Sequence, residues 1–97
     1  MALVLSLREG QDFYLDDAQV LVTRVDGLMH FQLMLAASGR SFTITDAESA
    51  EVLPDVFVSA GDRPQRGIAR VAIDAPREIR ITRGDRWRGG HQQEHRA

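Results

Sequence analysis

The sequence predicts an all-β protein with one short helix, folded as a small barrel or sandwich of antiparallel strands. Three observations predict this class. Apolar residues alternate along short segments, glycine and aspartate turns separate these segments, and only one segment has helix-start signals. The chain has 97 residues, which fits one domain with a modest core that a partner chain would help to stabilise.

Eight segments have the composition and alternation of β-strands. In the first, leucine occupies every second position, so that one face of the strand is apolar. The later segments are rich in valine, isoleucine, threonine and phenylalanine, which pack well on a pleated sheet. The predicted strands are residues 3–8, 13–15, 19–25, 29–36, 41–45, 56–58, 68–73 and 78–82.

Turn residues mark the connections between the first four strands. Gly10 supplies backbone freedom after the first strand, and Asp16 and Asp17 follow the second. Asp26 followed by Gly27 is a strong hairpin signal. These turns lie in a single predicted domain, residues 1–87, which a loose polar tail, residues 88–97, would follow.

One connection is predicted to be helical. Thr45 or Asp46 is expected to cap a short helix, because a side-chain oxygen there satisfies free backbone N–H groups. Glu48 and Glu51 would lie in the early turns, where acidic side chains favour the helix dipole. Pro54 would end this helix.

The composition argues against an enzyme or a metalloprotein. The chain has no cysteine, so it has no disulfide and no thiolate. Its glycines lie in short turns, and no nucleophile motif surrounds a serine, so we predict no catalysis and no cofactor. His91 and His95, with Glu94 between them, have a metal-like spacing, but no further ligands accompany them and we predict no metal site.

The sequence also predicts a soluble, cytoplasmic protein. No apolar run approaches the length of a membrane span, so no membrane partner is expected. The apolar N-terminal stretch is short and lacks a basic leader, which favours a strand over a signal peptide. The absence of cysteine suits a reducing compartment.

Charge is divided unevenly along the chain. The net charge is -2, but residues 1–60 carry three arginines against nine acids, and residues 61–97 carry nine arginines against five acids. All twelve basic residues are arginine, whose planar group suits contacts with phosphates and bases. A GC-rich genome explains the preference for arginine equally well. Trp87, near this basic end, is expected to anchor the last element to the core rather than to stack on a base.

Two segments carry a family pattern. Residues 3–25 (LVLSLREGQDFYLDDAQVLVTRV) combine a strand, a glycine turn, a second strand and an acidic turn. Residues 70–87 (RVAIDAPREIRITRGDRW) contain an Ala-Pro pair before an alternating strand. Both segments resemble the CsrA/RsmA (carbon storage regulator) family of bacterial RNA-binding proteins, with Trp87 where that family usually has Tyr. The matching positions of the second segment are Ile73, Ala75, Pro76, Arg77, Ile79, Ile81 and Arg83.

The resemblance implies a CsrA-like fold and an RNA partner. In that family, the first strand of one subunit lies beside the last strand of the other. The two edges bind GGA-containing RNA loops in mRNA or small RNA, and this represses translation or alters mRNA stability. Carried over to this chain, the implied RNA contacts are Leu5, Ser6, Leu7 and Arg8 on the first strand, and Ile81 and Arg83 on the last.

The sequence departs from the family in two places. The family commonly has two consecutive basic residues where this chain has Leu7 and Arg8. The long segment 26–69 also separates the two matches, and two interpretations of it remain open. If it is an insertion, the chain forms the family's homodimer by exchanging first strands.

The second interpretation is an internal duplication, with units 3–53 and 55–87. Residues 35–48 then correspond to residues 73–85, and Asp46 stands where the other unit has Arg83. On this interpretation the second unit lacks its opening hairpin. Strand 3–8 would pair with strand 78–83 of its own chain, and the protein would be a monomer with one RNA site.

Two functions are consistent with these features. The first is a post-transcriptional regulator that recognises GGA-containing single-stranded or loop RNA, favoured by Arg8, Arg83 and the basic C-terminal third. The alternative is a protein-interaction module of the same fold that has lost RNA binding and acts through a protein partner or antagonist. Leu7 and the acidic first sixty residues favour that alternative.

Overall fold

Alternating burial along the strands builds two antiparallel β-sheets that share one apolar core. The structure, a computed structural model, describes residues 2–88. A short helix, α1, occupies residues 84–88 at the end of the described chain, so the predicted all-β class with one short helix is confirmed. The strands are β1 (Ala2–Leu7), β2 (Asp12–Leu15), β3 (Ala18–Gly27), β4 (His30–Leu35), β5 (Arg40–Thr45), β6 (Ala50–Leu53), β7 (Val56–Ala60), β8 (Ala69–Asp74) and β9 (Ile81–Arg83).

The two halves of the chain exchange their outermost strands. One sheet has the order β1-β8-β7-β6, so the first strand of the chain joins the strands of the second half. The other sheet has the order β5-β4-β3-β2-β9, so the last strand joins the strands of the first half. Both ends of the described chain are therefore held by strands that are distant in sequence.

The core lies between the two sheets. Buried residues occupy every second position of β8, and the same alternation covers part of β3 and β4, at Val20 and Val22 and at Phe31 and Leu33, as expected for strands that turn one face inward. Apolar side chains from both sheets form one cluster, which is the main source of stability for a domain of this size. Its largest fully buried members include Phe13, Phe31, Leu7, Leu15, Leu33, Ile44 and Ile73.

The predicted helix before Pro54 is wrong, because that segment is strand β6. The Thr45 hydroxyl accepts a hydrogen bond from the N–H of Ala47 at 3.2 Å, but this closes a turn and not a helix. β6 pairs with β7, and this pairing buries Val52. Asp55, at φ 64°, completes the tight turn between them. Pairing and burial outweigh a local capping signal in so short a segment.

The eight predicted strands are all present, with two shifts. Gly27 belongs to β3 and pairs with His30, so the hairpin loop is Leu28 and Met29 rather than Asp26 and Gly27. The last predicted strand, 78–82, is shortened to Ile81–Arg83.

A turn causes this shortening. The N–H of Ile79 donates to the carbonyl oxygen of Pro76 at 3.1 Å, which closes a turn before β9 can begin.

Strands β4 and β8 hold equivalent places in the two sheets. Each ends a three-stranded meander, β2-β3-β4 or β6-β7-β8, and each has a further antiparallel strand along its outer edge. Beside β8 this strand is β1, which sets Leu5 opposite Val71. Beside β4 it is β5, which sets Phe42 opposite Leu33. Strand β5 thus lies along the outer edge of β4 and does not take the place that β9 has beside β2, although the duplication hypothesis matched residues 35–48 to residues 73–85.

Two predictions made from the sequence concern residues at the C-terminal end of the chain. The predicted tail lies outside the described residues, except for Arg88, which is the last helical residue of α1. His91 and His95 lie outside them as well. Within residues 2–88, no helix has the length and apolar character needed to cross a bilayer.

Candidate functional site

A hydrogen bond from Arg83 joins the first strand to the last. The Nη1 group of Arg83 on β9 donates to the backbone carbonyl oxygen of Ser6 on β1 at 2.7 Å. The Nε group of the same arginine donates to the Asp85 carboxylate at 3.3 Å. β1 and β9 are edge strands of different sheets, so this bond closes the gap between two sheet edges.

The predicted ladder between strands 3–8 and 78–83 is wrong. β1 forms its ladder with β8, over six residue pairs from Ala2↔Asp74 to Leu7↔Ala69. β9 forms its ladder with β2, where Arg83 lies opposite Phe13. Each strand therefore has its ladder with another partner. The Arg83 side chain, and not backbone pairing, joins β1 to β9.

The backbone of Ser6 faces the open edge of β1. Ser6 lies directly opposite Arg70 in the β1-β8 ladder, and the Arg70 carbonyl accepts from the N–H of Gly61 at 2.7 Å, on the β7 side. In an antiparallel ladder, the N–H and C=O of one residue point to the same side. Ser6 and Arg70 are therefore a non-hydrogen-bonded pair, and the Ser6 N–H and C=O point away from β8.

A second arginine reaches the same serine from β8. The Nη1 group of Arg70 donates to the Ser6 hydroxyl at 2.9 Å, and its Nε donates to the Asp62 carbonyl at 3.0 Å. Arg70 was not among the predicted RNA contacts. Only the strand register, which sets Arg70 opposite Ser6, could have indicated it.

The residues implied by the family resemblance divide between surface and core. Leu7 is only 1% exposed, and Leu5 packs against the same core, so their side chains are turned away from the edge. Ile81 also packs against this core, opposite Leu15. These three residues can meet a ligand mainly through their backbone.

The polar members of that set remain at the surface. Arg8 is exposed, and its backbone N–H donates to the Gln11 side chain at 2.9 Å. Within the described residues no hydrogen bond or ion pair is made by the Arg8 guanidinium, so its donors are available to a ligand. Ser6 and Arg83 are half-buried. The structure therefore brings Ser6 and Arg83 together, and Arg8 follows two residues after Ser6 along the chain.

A buried carboxylate holds α1 against β2. Asp12 is 4% exposed and accepts two hydrogen bonds from Arg88, at 3.0 and 3.1 Å, and one from Gln19 at 2.6 Å. The bond from Arg88 lowers the pKa of Asp12 below its usual value, although burial opposes this shift. The same bond raises the pKa of Arg88. Gly84 completes the site, because a Cβ atom at that position would overlap the Asp12 carboxylate.

Trp87 stacks on Tyr14 of β2. The two ring centroids are 4.4 Å apart and the ring planes differ by 9°. This contact anchors α1 to the sheet directly after β9, through Tyr14 and not through the apolar core that was predicted as the anchor of Trp87. Because Arg83 immediately precedes α1, the docked helix also fixes the position of Arg83.

A small cleft opens beside Arg83. Its volume is about 90 Å³, and its walls carry charges of both signs. Within residues 2–88, no three histidine, cysteine, aspartate or glutamate side chains come together as metal ligands. The cleft is lined by Leu7, Gly10, Gln11, Asp12, Arg83, Asp85 and Arg88.

Comparison of the chain with known protein families, with curated proteins and with solved structures finds no match. The resemblance to the CsrA/RsmA family therefore stays a prediction. The function has to be inferred from the chemistry of the edge that β1, β8 and β9 form.

Proposed function

We propose that this chain is a post-transcriptional regulator that binds GGA-containing single-stranded or loop RNA at the facing edges of β1 and β9. The bond between Arg83 and the Ser6 carbonyl carries this proposal. It joins the same two strands, first and last, that the family resemblance implies for RNA contact. Such a regulator would act in the cytoplasm, where mRNA is translated.

The chemistry of this edge suits single-stranded RNA. Looped RNA has unstacked bases, whose edges accept and donate hydrogen bonds and whose faces stack on guanidinium planes. The open edge of β1 offers the backbone groups of Ser6, and Arg8 beside it offers an unengaged guanidinium. A regular duplex would not present its bases to such an edge, so a loop is the better ligand.

Local charge also supports RNA, despite the net charge of -2. Two acidic side chains near the edge are paired, Asp12 with Arg88 and Asp85 with Arg83. A third, Glu9, accepts a hydrogen bond from the N–H of Val25 at 3.2 Å. Arg8 and Arg70 make no ion pair within the described residues. The guanidinium groups of Arg8 and Arg70 can therefore offer positive charge to a phosphate backbone, which supplies much of the affinity for nucleic acids.

Two observations favour the alternative, a protein-interaction module. Leu7 is buried, so this end of β1 offers one basic side chain where the family commonly has two. On the four-stranded sheet, Val4 and Phe57 are 38% and 46% exposed, which gives that face apolar area for a protein partner. We rank this function second, because neither observation explains the arginines that meet at Ser6.

A gel-shift titration tests the proposed function. A hairpin RNA with GGA in its loop is expected to bind at least about tenfold more tightly than the same hairpin with its GG altered, since one good base contact provides that discrimination. Equal binding of the two hairpins would show that the site binds RNA without recognising GGA. No binding of either hairpin would leave the protein-partner function as the better proposal.

We also expect the protein to be a monomer that binds one RNA per chain. β1 pairs with β8 of its own chain, so exchange with a second copy is not needed to cover it. The equivalent edge of β4 is filled by β5, so no second facing pair of β1 and β9 type is formed. Light scattering combined with an RNA titration measures both quantities. A stable dimer with two RNA molecules would favour a plain insertion of residues 36–54 over an internal duplication.

A further inference from the structure

Two arginines from different sheets converge on Ser6. Arg70 comes from β8 and binds the Ser6 hydroxyl at 2.9 Å, while Arg83 comes from β9 and binds the Ser6 carbonyl at 2.7 Å. Both guanidinium groups are thus held against a single residue. Each guanidinium has five N–H donors, so it can donate to a ligand while it stays bonded to Ser6.

We propose that Arg70 and Arg83 form a clamp for one phosphate group of the bound RNA, with Ser6 at its centre. Phosphate oxygens are good acceptors for the planar fork of a guanidinium. The Ser6 N–H, which points to the open edge of β1, is a further donor on the same side. This site rests on the proposed RNA-binding function for the identity of the polymer, but its anion chemistry follows from the three groups themselves.

The charge balance at Ser6 calls for an anion. The atoms of Ser6 that hold the two arginines are a hydroxyl and a carbonyl oxygen, which are neutral. Arg70 is held on its other side by the backbone carbonyl of Asp62, also a neutral group. Asp85 pairs with Arg83 and is the one carboxylate bonded to either arginine in the described residues. Two positive charges bonded to one residue repel each other, and a bound phosphate would reduce that repulsion.

The clamp also has a rigid base. Ser6 and Arg70 are register partners in the fifth of the six pairs of a ladder, and Arg83 is fixed between β2 and the docked helix α1. Side chains that are already positioned lose little freedom when they bind, so preorganisation increases affinity. Arg8 lacks such fixation, and we expect it to contribute as a mobile contact.

The test compares Arg70→Gln with Arg40→Gln in RNA binding. Arg70→Gln is expected to weaken binding of the GGA hairpin by about tenfold, the loss expected for a charge-assisted hydrogen bond. The slope of log Kd against log salt should also fall by about 0.7, as for one phosphate contact on a single strand. Arg40 lies on β5, at the opposite edge of the five-stranded sheet from β9, so Arg40→Gln removes the same charge and should change neither quantity. Unchanged affinity and slope for a folded Arg70→Gln variant would overturn the clamp.

A second measurement uses wild-type protein and inorganic phosphate, so it does not depend on the folding of a variant. Phosphate should shift the NMR signals of the Arg70 and Arg83 Nε–H groups and leave that of Arg40 in place. Such shifts without binding of the GGA hairpin would support the anion site and reject the RNA function. Equal shifts at all three arginines, or none, would overturn the clamp while leaving the RNA function to the hairpin titration.

Discussion

Replacing Gly84 by alanine is expected to lower the free energy of unfolding by about 1–3 kcal/mol, the usual cost of forcing a methyl group into a packed site. The new Cβ atom would overlap the Asp12 carboxylate. Asp12 cannot easily move aside, because it is buried and is held by Arg88 and Gln19. Urea denaturation measures the loss, and the fluorescence of Trp87, the single tryptophan, reports whether α1 stays docked on Tyr14.

The chain provides a matched control for this substitution. Gly27 has room for a methyl group, since a Cβ atom there would meet only the His30 Cβ at 3.8 Å, an ordinary contact. Gly27→Ala should therefore change stability by less than about 0.5 kcal/mol, as surface substitutions usually do. Combining Gly84→Ala with Asp12→Ala should reduce the cost of the Gly84 change, because the obstructing carboxylate is gone. An equal cost for Gly84→Ala and Gly27→Ala would show that close packing over Asp12 is not important.

The strands were predictable because their signal is local. Eight of the nine strands have such a signal, which is alternation in residues 3–8 and a short run of β-branched, aromatic or other apolar residues between turns in others. β6 was missed because Thr45 and Asp46 resemble a helix start and the segment before Pro54 is only a few residues long. Whether such a segment pairs with a neighbour depends on β7, and this is tertiary information that a local pattern does not contain.

The arrangement of the strands was less predictable. The first and last strands were predicted to pair. In the structure the Arg83 side chain joins them, and they form no ladder with each other. The exchange of β1 and β9 between sheets decides this, because each strand then has its ladder with another partner. No feature of residues 3–8 alone distinguishes a ladder with β8 from a ladder with β9.

The candidate site was predicted only in part, because strand register and helix docking position some of its residues. Ser6, Arg8 and Arg83 follow from the resemblance to a family and are surface groups in the structure. The alternation of residues 3–8 already assigned Leu7 to the apolar face, and its burial follows from that pattern. Arg70 and the Asp12–Arg88 pair depend on strand register and helix docking, so the local sequence pattern gives no signal for them.

Replacing Arg83 by alanine is expected to weaken binding of the GGA hairpin by about 1–3 kcal/mol, the range for one well-placed arginine contact with a base or its neighbouring phosphate. This corresponds to a factor of roughly 5 to 140 in Kd. The truncation removes a guanidinium from the site and also breaks the bond that joins β9 to the Ser6 carbonyl. Stability should fall by only about 0.5–1.5 kcal/mol, the net worth of one hydrogen bond, since Ser6 is half-exposed and water can replace the donor.

The comparison of three variants separates charge from geometry at this position. Arg83→Lys keeps the charge but loses the planar fork that reaches Ser6 and Asp85 together, so it should recover only part of the lost affinity. Arg40→Ala removes one charge at the opposite edge of the same sheet and should leave binding unchanged. If the folded Arg83→Ala variant binds the hairpin as tightly as wild type, the facing edges of β1 and β9 are not the RNA site. Full recovery by lysine would instead assign Arg83 a purely electrostatic contact, since a point charge would then serve as well as the fork.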